Sequence, residues 1–317
     1  MAAPSSPHAE VTATMPEPPE PPEPPEPPEP PGLDLDLDIS AGAGAASTRD
    51  ARVDAEAIEK LRAEHGDITL HPVTVVIAAY NEAASIAPVV AGIPREVCGM
   101  PVSIVVIDDG SSDGTAAVVR RHADADTYVV EPGVNRGQGA ALRLGYRVAR
   151  ELGARYIATT DADGQYSADD LPVVVEPLVA GEADFVTGSR RLGRAETDDR
   201  FRHAGVLVYA ALVSLLARRR ITDTSNGLRA MRAEVTAHVT LEQPQYQASE
   251  LLLSTIYRGF RVAERATTMH RRSSGASKKG GNFRYGYRYG RVILRTWWRE
   301  LRRNRREGRR LGDPPPA

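Results

Sequence analysis

Cysteine is nearly missing from this 317-residue chain. Cys98 stands alone, so no intramolecular disulfide can form, and a lone thiol is consistent with a reducing compartment. Cys98 itself is expected to be a small buried apolar residue. No cysteine–histidine metal site is available, and the 7 histidines are scattered, none at a recognisable spacing from a nucleophile. Paired nucleophile–histidine catalysis is therefore not indicated. Long apolar runs are also lacking. Residues 204–217, followed by Arg218-Arg219-Arg220, fall short of the ~20 apolar residues that a bilayer-crossing helix takes. No transmembrane helix is expected. The flanking arginines suit this run to a membrane interface, and a plain amphipathic or core helix is the alternative. Nor is there a basic start with an apolar stretch of the kind that marks a secretory signal.

Net charge is small, −2 from 40 basic and 42 acidic residues, but the sum conceals two differently charged ends. Residues 16–32 repeat proline and glutamate, and Leu-Asp and Ala-Gly alternations follow. Proline disfavours helix and sheet ladders, glutamates repel one another, and little apolar surface is available to bury, so residues 1–50 are expected to be disordered. Residues 51–66 are expected to form a short helix, which sets the first boundary at residue 66. At the other end, Arg284, Arg288, Arg291, Arg295, Arg299 and Arg302 recur at helical steps beside Tyr285, Tyr289, Val292, Ile293, Trp297 and Leu301. Such a helix over residues 281–317 suits an anionic membrane surface. The same pattern fits a charged helix packed on its own domain. Nucleic acid is not an expected partner, because no nucleic-acid-binding fold accompanies the basic residues.

Between these ends the chain alternates strand and helix. Apolar, β-branched runs at residues 73–78, 102–107 and 156–160 each end in a polar cluster: Tyr80-Asn81-Glu82, Asp108-Asp109-Gly-Ser-Ser-Asp113, and Asp161-Ala162-Asp163-Gly-Gln165. Helical patterns follow at 83–90, 115–122 and 139–152. The repeat predicts an α/β fold with a mostly parallel sheet flanked by helices. In such sheets ligands bind beyond the carboxyl ends of the strands, where all three clusters fall. Alternation along an extended chain places Asp161 and Asp163 on one side. Such a pair suits Mg²⁺ or Mn²⁺, which also engage substrate phosphates. Taken alone, an Asp-x-Asp is more often a solvated turn; the other two strand ends reverse that preference and favour a nucleotide or phosphorylated ligand.

The motifs Ala78-Ala-Tyr80-Asn81-Glu82, Asp108-Asp109-Gly-Ser-Ser-Asp113-Gly114-Thr115, Asn135-Arg-Gly-Gln-Gly139, Asp161-Ala-Asp163-Gly-Gln165, Thr187-Gly-Ser-Arg190, Asp223-Thr-Ser-Asn-Gly-Leu-Arg229 and Arg272-Ser-Ser-Gly-Ala-Ser-Lys278 occur in this order. In this the chain resembles the family 2 glycosyltransferases of GT-A (Rossmann-like) fold, and among them the dolichyl- and polyprenyl-phosphate mannosyltransferases, over about residues 72–280 of a domain expected at residues 67–280. The resemblance implies that Ala78, Tyr80, Glu82, Ile107 and Asp109 hold the base and ribose of a GDP- or UDP-sugar. It places Asp161 and Ala162 on the nucleotide side, Asp163 and Gln165 on the metal, Arg190 and Lys278 near the donor phosphates, and Arg202, Arg229 and Arg272 at the acceptor phosphate. Asp161, Asp163 and Arg190 would carry catalysis, with inversion at the anomeric carbon. The chain departs from the family in having Ala78-Ala79 before the tyrosine and His203 after Arg202.

The chemistry agrees. A departing diphosphate needs a divalent cation, and a hydroxyl acceptor needs a general base as well. A phosphate acceptor is already ionised and needs positive charge instead, which the arginines supply. The expected function is metal-dependent transfer of mannose or another hexose to a polyprenyl phosphate. The expected location is cytoplasmic, peripheral on that face of the membrane. Transfer to a soluble or glycan hydroxyl is the alternative, and nucleotide-sugar binding without turnover is the reading from another class.

Overall fold

The structure is a computed structural model that describes residues 42–196, 200–271 and 283–315. Its elements in chain order are α1 (Gly42–His65), β1 (Val73–Ala79), α2 (Ile86–Gly92), β2 (Glu96–Val97), β3 (Met100–Asp108), α3 (Thr115–His122), β4 (Thr127–Val130), α4 (Gln138–Glu151) and β5 (Tyr156–Asp161). There follow α5 (Leu171–Val179), β6 (Phe185–Ala195), α6 (Arg200–Ala217), β7 (Arg229–Arg232), α7 (Val235–His238), α8 (Gln247–Tyr257), β8 (Val262–Met269) and α9 (Phe283–Arg306). Residues Ser47–Ala317 form one compact unit, and Met1–Ala46 fall in another.

The sheet runs β3-β1-β5-β7-β6-β8, with β4 paired to β3 and the short β2 folded onto the start of β3. β1 pairs in parallel with β3 and β5, and β6 with β8, whereas β7 runs antiparallel to both β5 and β6. The sheet is thus mixed, with β7 and β2 reversed. Because strand side chains alternate, β1 feeds two apolar layers: Val73, Val75 and Ile77 join one, and Val76 joins the other. The first layer is closed by α2, α3 and α5, and the second by α1, α4, α6, α8 and α9. Gly145 lets α4 lie close on the sheet, since a Cβ there would sit 2.3 Å from Val76.

Register decides where the chemistry goes. Ala79 of β1 lies opposite Asp108 of β3, and Ala78 lies opposite Asp161 of β5. The polar ends of these strands therefore sit side by side along one edge of the sheet.

Two expectations change, at Cys98 and at the start of α1, and the C-terminal helix follows the second of its two readings, packed on its own domain. Cys98 is exposed, at the tip of the β2–β3 hairpin. Cys98 (φ 51) and Gly99 (φ 74) both take the left-handed backbone that a two-residue hairpin loop requires, so turn geometry overrides the preference of a thiol for the interior. Helix α1 begins at Gly42, well before residue 51; its start is alanine-rich, and alanine is the strongest helix former. Asp50 and Asp54 on α1 pair with Arg136, and Asp50 also with Arg143; residues 1–41 lie outside the described residues. The aromatic-apolar face expected of the C-terminal helix turns inward: Tyr289, Val292 and Ile293 are buried, and Trp297 and Leu301 pack against the core. Arg299 also turns inward, onto Glu250 and Glu300.

Candidate active site

The loops after β1 and β3 are stitched into one surface. The Asn81 amide donates to Ser111 Oγ at 2.9 Å, and the Ser112 amide returns a bond to Asn81 Oδ1 at 2.9 Å. Asn81 takes φ 52, a conformation that asparagine tolerates better than most residues. Glu82 N donates to Thr115 Oγ1, and Ala83 N to Asp113. Burial alone would raise the Asp113 carboxyl, but hydrogen bonds from Thr115 and Ala83 outweigh it and hold the group below its ordinary value. Asp108 accepts from Ser111 N and Ala116 N and so anchors the start of α3. On this surface Tyr80 is exposed, Ala78 and Glu82 are half-buried, and Ile107 lies wholly in the core. Ile107 can therefore meet a ligand only through its backbone.

Asp109 draws in a third loop. Its carboxylate accepts the amides of Arg136 (3.1 Å) and Gly137 (2.7 Å). Gly110 carries φ 77, and a Cβ there would come within 2.7 Å of Asn135 N. The glycine permits both the turn and the close approach. Burial pushes the Asp109 carboxyl up to about 6, against the lowering effect of its two amide donors. A raised folded-state value means that the native chain keeps a proton which the unfolded chain loses between pH 3.8 and about 6. The contribution of this group to stability is therefore full below that window and declines as pH rises through it, by up to about 3 kcal/mol. Asp109→Asn removes the titration. The melting temperature of the wild type minus that of the variant should shift against the wild type from pH 4 to pH 7. A difference independent of pH would contradict this.

Asp161 closes β5 and accepts from Gln138 Nε2 at the start of α4. Strand alternation does not describe Asp163, because β5 ends at Asp161 and Asp163 lies in the turn that follows. There Asp163 is 6% exposed, and its Oδ1 accepts the Gln165 amide at 3.1 Å. Ala162 between them is buried. The His270 amide donates to the Gln165 carbonyl, which ties the end of β8 to this turn. The donor set fits a hard divalent cation: a carboxylate and an amide oxygen are folded into one turn. Among the described residues no group of three or more His, Cys, Asp or Glu converges to hold a metal. Asp163 and Gln165 are the side chains of this turn that could hold such a cation, with phosphate oxygens supplying further ligands.

The fifth part is the segment between α6 and β7. Arg190, on β6, places a two-pronged fork on Asp223, at 2.6 and 2.7 Å, and a further bond on Ser225 Oγ at 2.7 Å. Burial alone would lower the guanidinium, but Asp223 outweighs it and fixes the charge. Burial would likewise raise Asp223, and Arg190 holds it low. Gly227 abuts Asp161: a Cβ there would lie 2.6 Å from Oδ2 and 2.7 Å from the Tyr166 ring. Tyr166 Oη accepts the Gly227 amide, and burial, reinforced by Asp161, pushes its phenol up. Arg229 opens β7 opposite Thr159 and Thr187. It is 6% exposed and donates to the Asn226 carbonyl and Gln247 Oε1. No carboxylate among the described residues forms an ion pair with it.

Ala78, Asp161, Arg190 and Arg229 thus stand on strands of the sheet, and Tyr80, Glu82, Asp109, Asp163 and Gln165 on the loops and turns that follow strand ends, with hydrogen bonds and close contacts linking these segments. Arg272 and Lys278 lie outside the described residues, and of Arg202 only its place in the backbone of α6 is described. Sequence reasoning missed the roles of Asp223, Tyr166 and Gln138. Asp223 and Gln138 stand inside recognised motifs, but their partners are 33 and 23 residues away.

The model of Glycosyl transferase family 2 matches residues 74–240. Dolichyl-phosphate hexose transferase of Haloferax volcanii is 31% identical over 198 residues, which cover 62% of this chain and 82% of that protein. Polyprenol monophosphomannose synthase of Mycolicibacterium smegmatis is 31% identical over 217 residues, 66% of this chain and 81% of that one. Glucosyl-3-phosphoglycerate synthase from Mycobacterium tuberculosis, in complex with Mn²⁺ and UDP-glucose, superposes with a TM-score of 0.58 at 22% identity, covering 76% of this chain and 83% of the other. That last likeness speaks for the fold alone. With its GT-A-like mixed sheet and its acidic strand ends aligned along one edge, the chain belongs to glycosyl transferase family 2.

Proposed function

We propose that this glycosyltransferase moves mannose or another hexose from a GDP- or UDP-sugar to a polyprenyl phosphate at an anionic membrane surface, with Mg²⁺ or Mn²⁺ at the donor diphosphate. The observation that carries the acceptor half is Arg229, a buried guanidinium whose bonds go to neutral oxygens. Tyr146 feels both Arg229 and Asp161, so this charge lies in the neighbourhood of the donor-side carboxylate. Buried charge is costly unless it meets an opposite charge, and an acceptor phosphate would supply one. The names of the relatives from Haloferax and Mycolicibacterium point to the same substrate class.

In this reading the surface around Tyr80, Glu82 and Asp109 receives the nucleotide, and Asp163 and Gln165 hold the cation. When bound, that cation neutralises charge on the departing diphosphate. Asp161, braced by Gln138 and Gly227, borders the nucleotide and sugar. Arg190 keeps its charge close to the phosphates, already oriented by Asp223 and Ser225, so little reorganisation is needed as charge develops. Arg229, with Arg202 and Arg272, receives the acceptor phosphate, whose oxygen attacks without needing a general base.

Lipid access is assigned to α6 and α9. These helices meet where Tyr209 packs edge-on to Tyr289 and close to Gly286 and Gly290. Val208, Leu215, Tyr287 and Trp298 are exposed on the same two helices, and Arg302 lies over the Trp298 ring. Aromatic and aliphatic groups among arginines suit the headgroup layer of an anionic bilayer. No helix among the described residues is long and apolar enough to cross a membrane.

Arg229→Gln tests the acceptor half. With polyprenyl phosphate in mixed micelles, the acceptor KM should rise about 10- to 100-fold, the range for losing a charged hydrogen bond, while the donor KM stays within about twofold. An unchanged acceptor KM would remove Arg229 from this role.

A further inference from the structure

We infer that Tyr289 of the C-terminal helix is a positioning residue for the donor site, acting through Thr224 on the segment that holds Arg190. The inference rests on the donor half of the function proposed above. Tyr289 is 5% exposed, and its hydroxyl lies 3.1 Å from the Thr224 carbonyl and 2.9 Å from Thr224 Oγ1. Thr224 is buried between the two residues that grip Arg190, Asp223 on one side and Ser225 on the other. Three residues further on, Gly227 presses against Asp161. One hydroxyl on α9 therefore braces the middle of a segment that touches Arg190 on one side and Asp161 on the other.

The contact is specific. α9 is also anchored by Ile293 in the core and by Arg299 on Glu250, contacts that removal of the Tyr289 hydroxyl leaves in place. The Tyr289 ring packs edge-on against Tyr209 and Tyr246, which fixes the direction of its hydroxyl. A ring locked by two neighbours loses little further entropy on forming a hydrogen bond, so it makes an effective brace. The segment it braces carries function by position: Arg190 takes its orientation from Asp223 and Ser225, so a displaced segment turns the guanidinium away from where charge develops. The same helix presents Tyr287 and Trp298 to solvent, so the surface assigned to lipid and the brace on Arg190 belong to one rigid element. The family match ends at residue 240, which places this brace outside the matched region.

The test uses the full chain and reads binding of UDP or GDP with Mn²⁺ by calorimetry, a quantity that does not depend on the acceptor. Tyr289→Phe keeps the ring and removes only the hydroxyl; Tyr287→Phe, on the exposed side, is the control. We expect Tyr289→Phe to weaken nucleotide binding about 5- to 10-fold, as for the loss of one neutral hydrogen bond, and Tyr287→Phe to leave it unchanged. Thr224→Val should weaken binding similarly, and the double variant should be no worse than the poorer single one, because both remove the same contact. Nucleotide affinity in Tyr289→Phe equal to that of the wild type would overturn the inference. So would additive losses in the double variant. Wild-type protein that binds nucleotide but does not glycosylate polyprenyl phosphate would count against the acceptor reading and leave the brace standing. Wild-type protein that binds neither nucleotide would overturn both.

Discussion

Asp163→Ala should lower the rate of sugar transfer by about 10²- to 10³-fold, the usual loss when one electrostatic contact to a developing charge is removed. The carboxylate is the charged member of the proposed metal pair, and Gln165 brings only a neutral amide oxygen. A weakened cation site should be partly refilled by mass action, so raising Mn²⁺ should recover some of the rate. Asp163 Oδ1 also accepts the Gln165 amide, a bond whose loss costs folding about 1 kcal/mol, so a thermal melt separates that cost from the loss of the cation. Transfer assays across a Mn²⁺ titration, with a thermal melt of each protein, check all three points. A variant as active as the wild type would mean that the metal lies elsewhere.

The second large effect is on stability. Asp223 is fully buried and neutralises Arg190 through two hydrogen bonds. Asp223→Ala strands that guanidinium without its partner, and breaking one side of a buried pair costs about 3–5 kcal/mol. For a domain of this size the melting temperature should fall by roughly 10 °C. Transfer should collapse as well, since the fork loses its orientation. Replacing both partners, as in Arg190→Met with Asp223→Leu, should recover much of the melting temperature and none of the activity, because an apolar pair avoids the uncompensated charge. If Asp223→Ala melts like the wild type, the ion pair is not the structural element described here.

What the sequence revealed and what it hid follow from the range of the interactions involved. Helix α3 occupies residues 115–122 as its pattern indicates, and β1, β3 and β5 fall on their apolar runs to within a residue or two. Those signals are local: β-branched runs, helical periodicity and the polar punctuation between them. That the acidic ends would gather also followed, because parallel strands in neighbouring positions bring their carboxyl ends to one edge. The orientation of α9 did not follow. Tyr289 and Trp298 lie on the same amphipathic helix, and an apolar face toward lipid has the same periodicity as one toward a core. Only the packing against Tyr209 and Tyr246 separates them. Arg190 and Asp223 were each visible within a motif, but their pairing spans β6 and the segment before β7, a contact no single-sequence pattern encodes. Cys98 went the other way: two consecutive left-handed residues in a tight hairpin outweighed its apolar character.

The most direct test of the account is where the sugar goes. Wild-type protein is incubated with Mn²⁺, polyprenyl phosphate in anionic vesicles, and GDP- or UDP-hexoses labelled in the sugar, and the label is then partitioned between organic and aqueous phases. The account predicts label in the organic phase, released by mild acid as free sugar, and dependent on both the divalent cation and the lipid phosphate. Label confined to the aqueous phase on a hydroxyl-linked product, with the lipid phosphate unaltered, would contradict it.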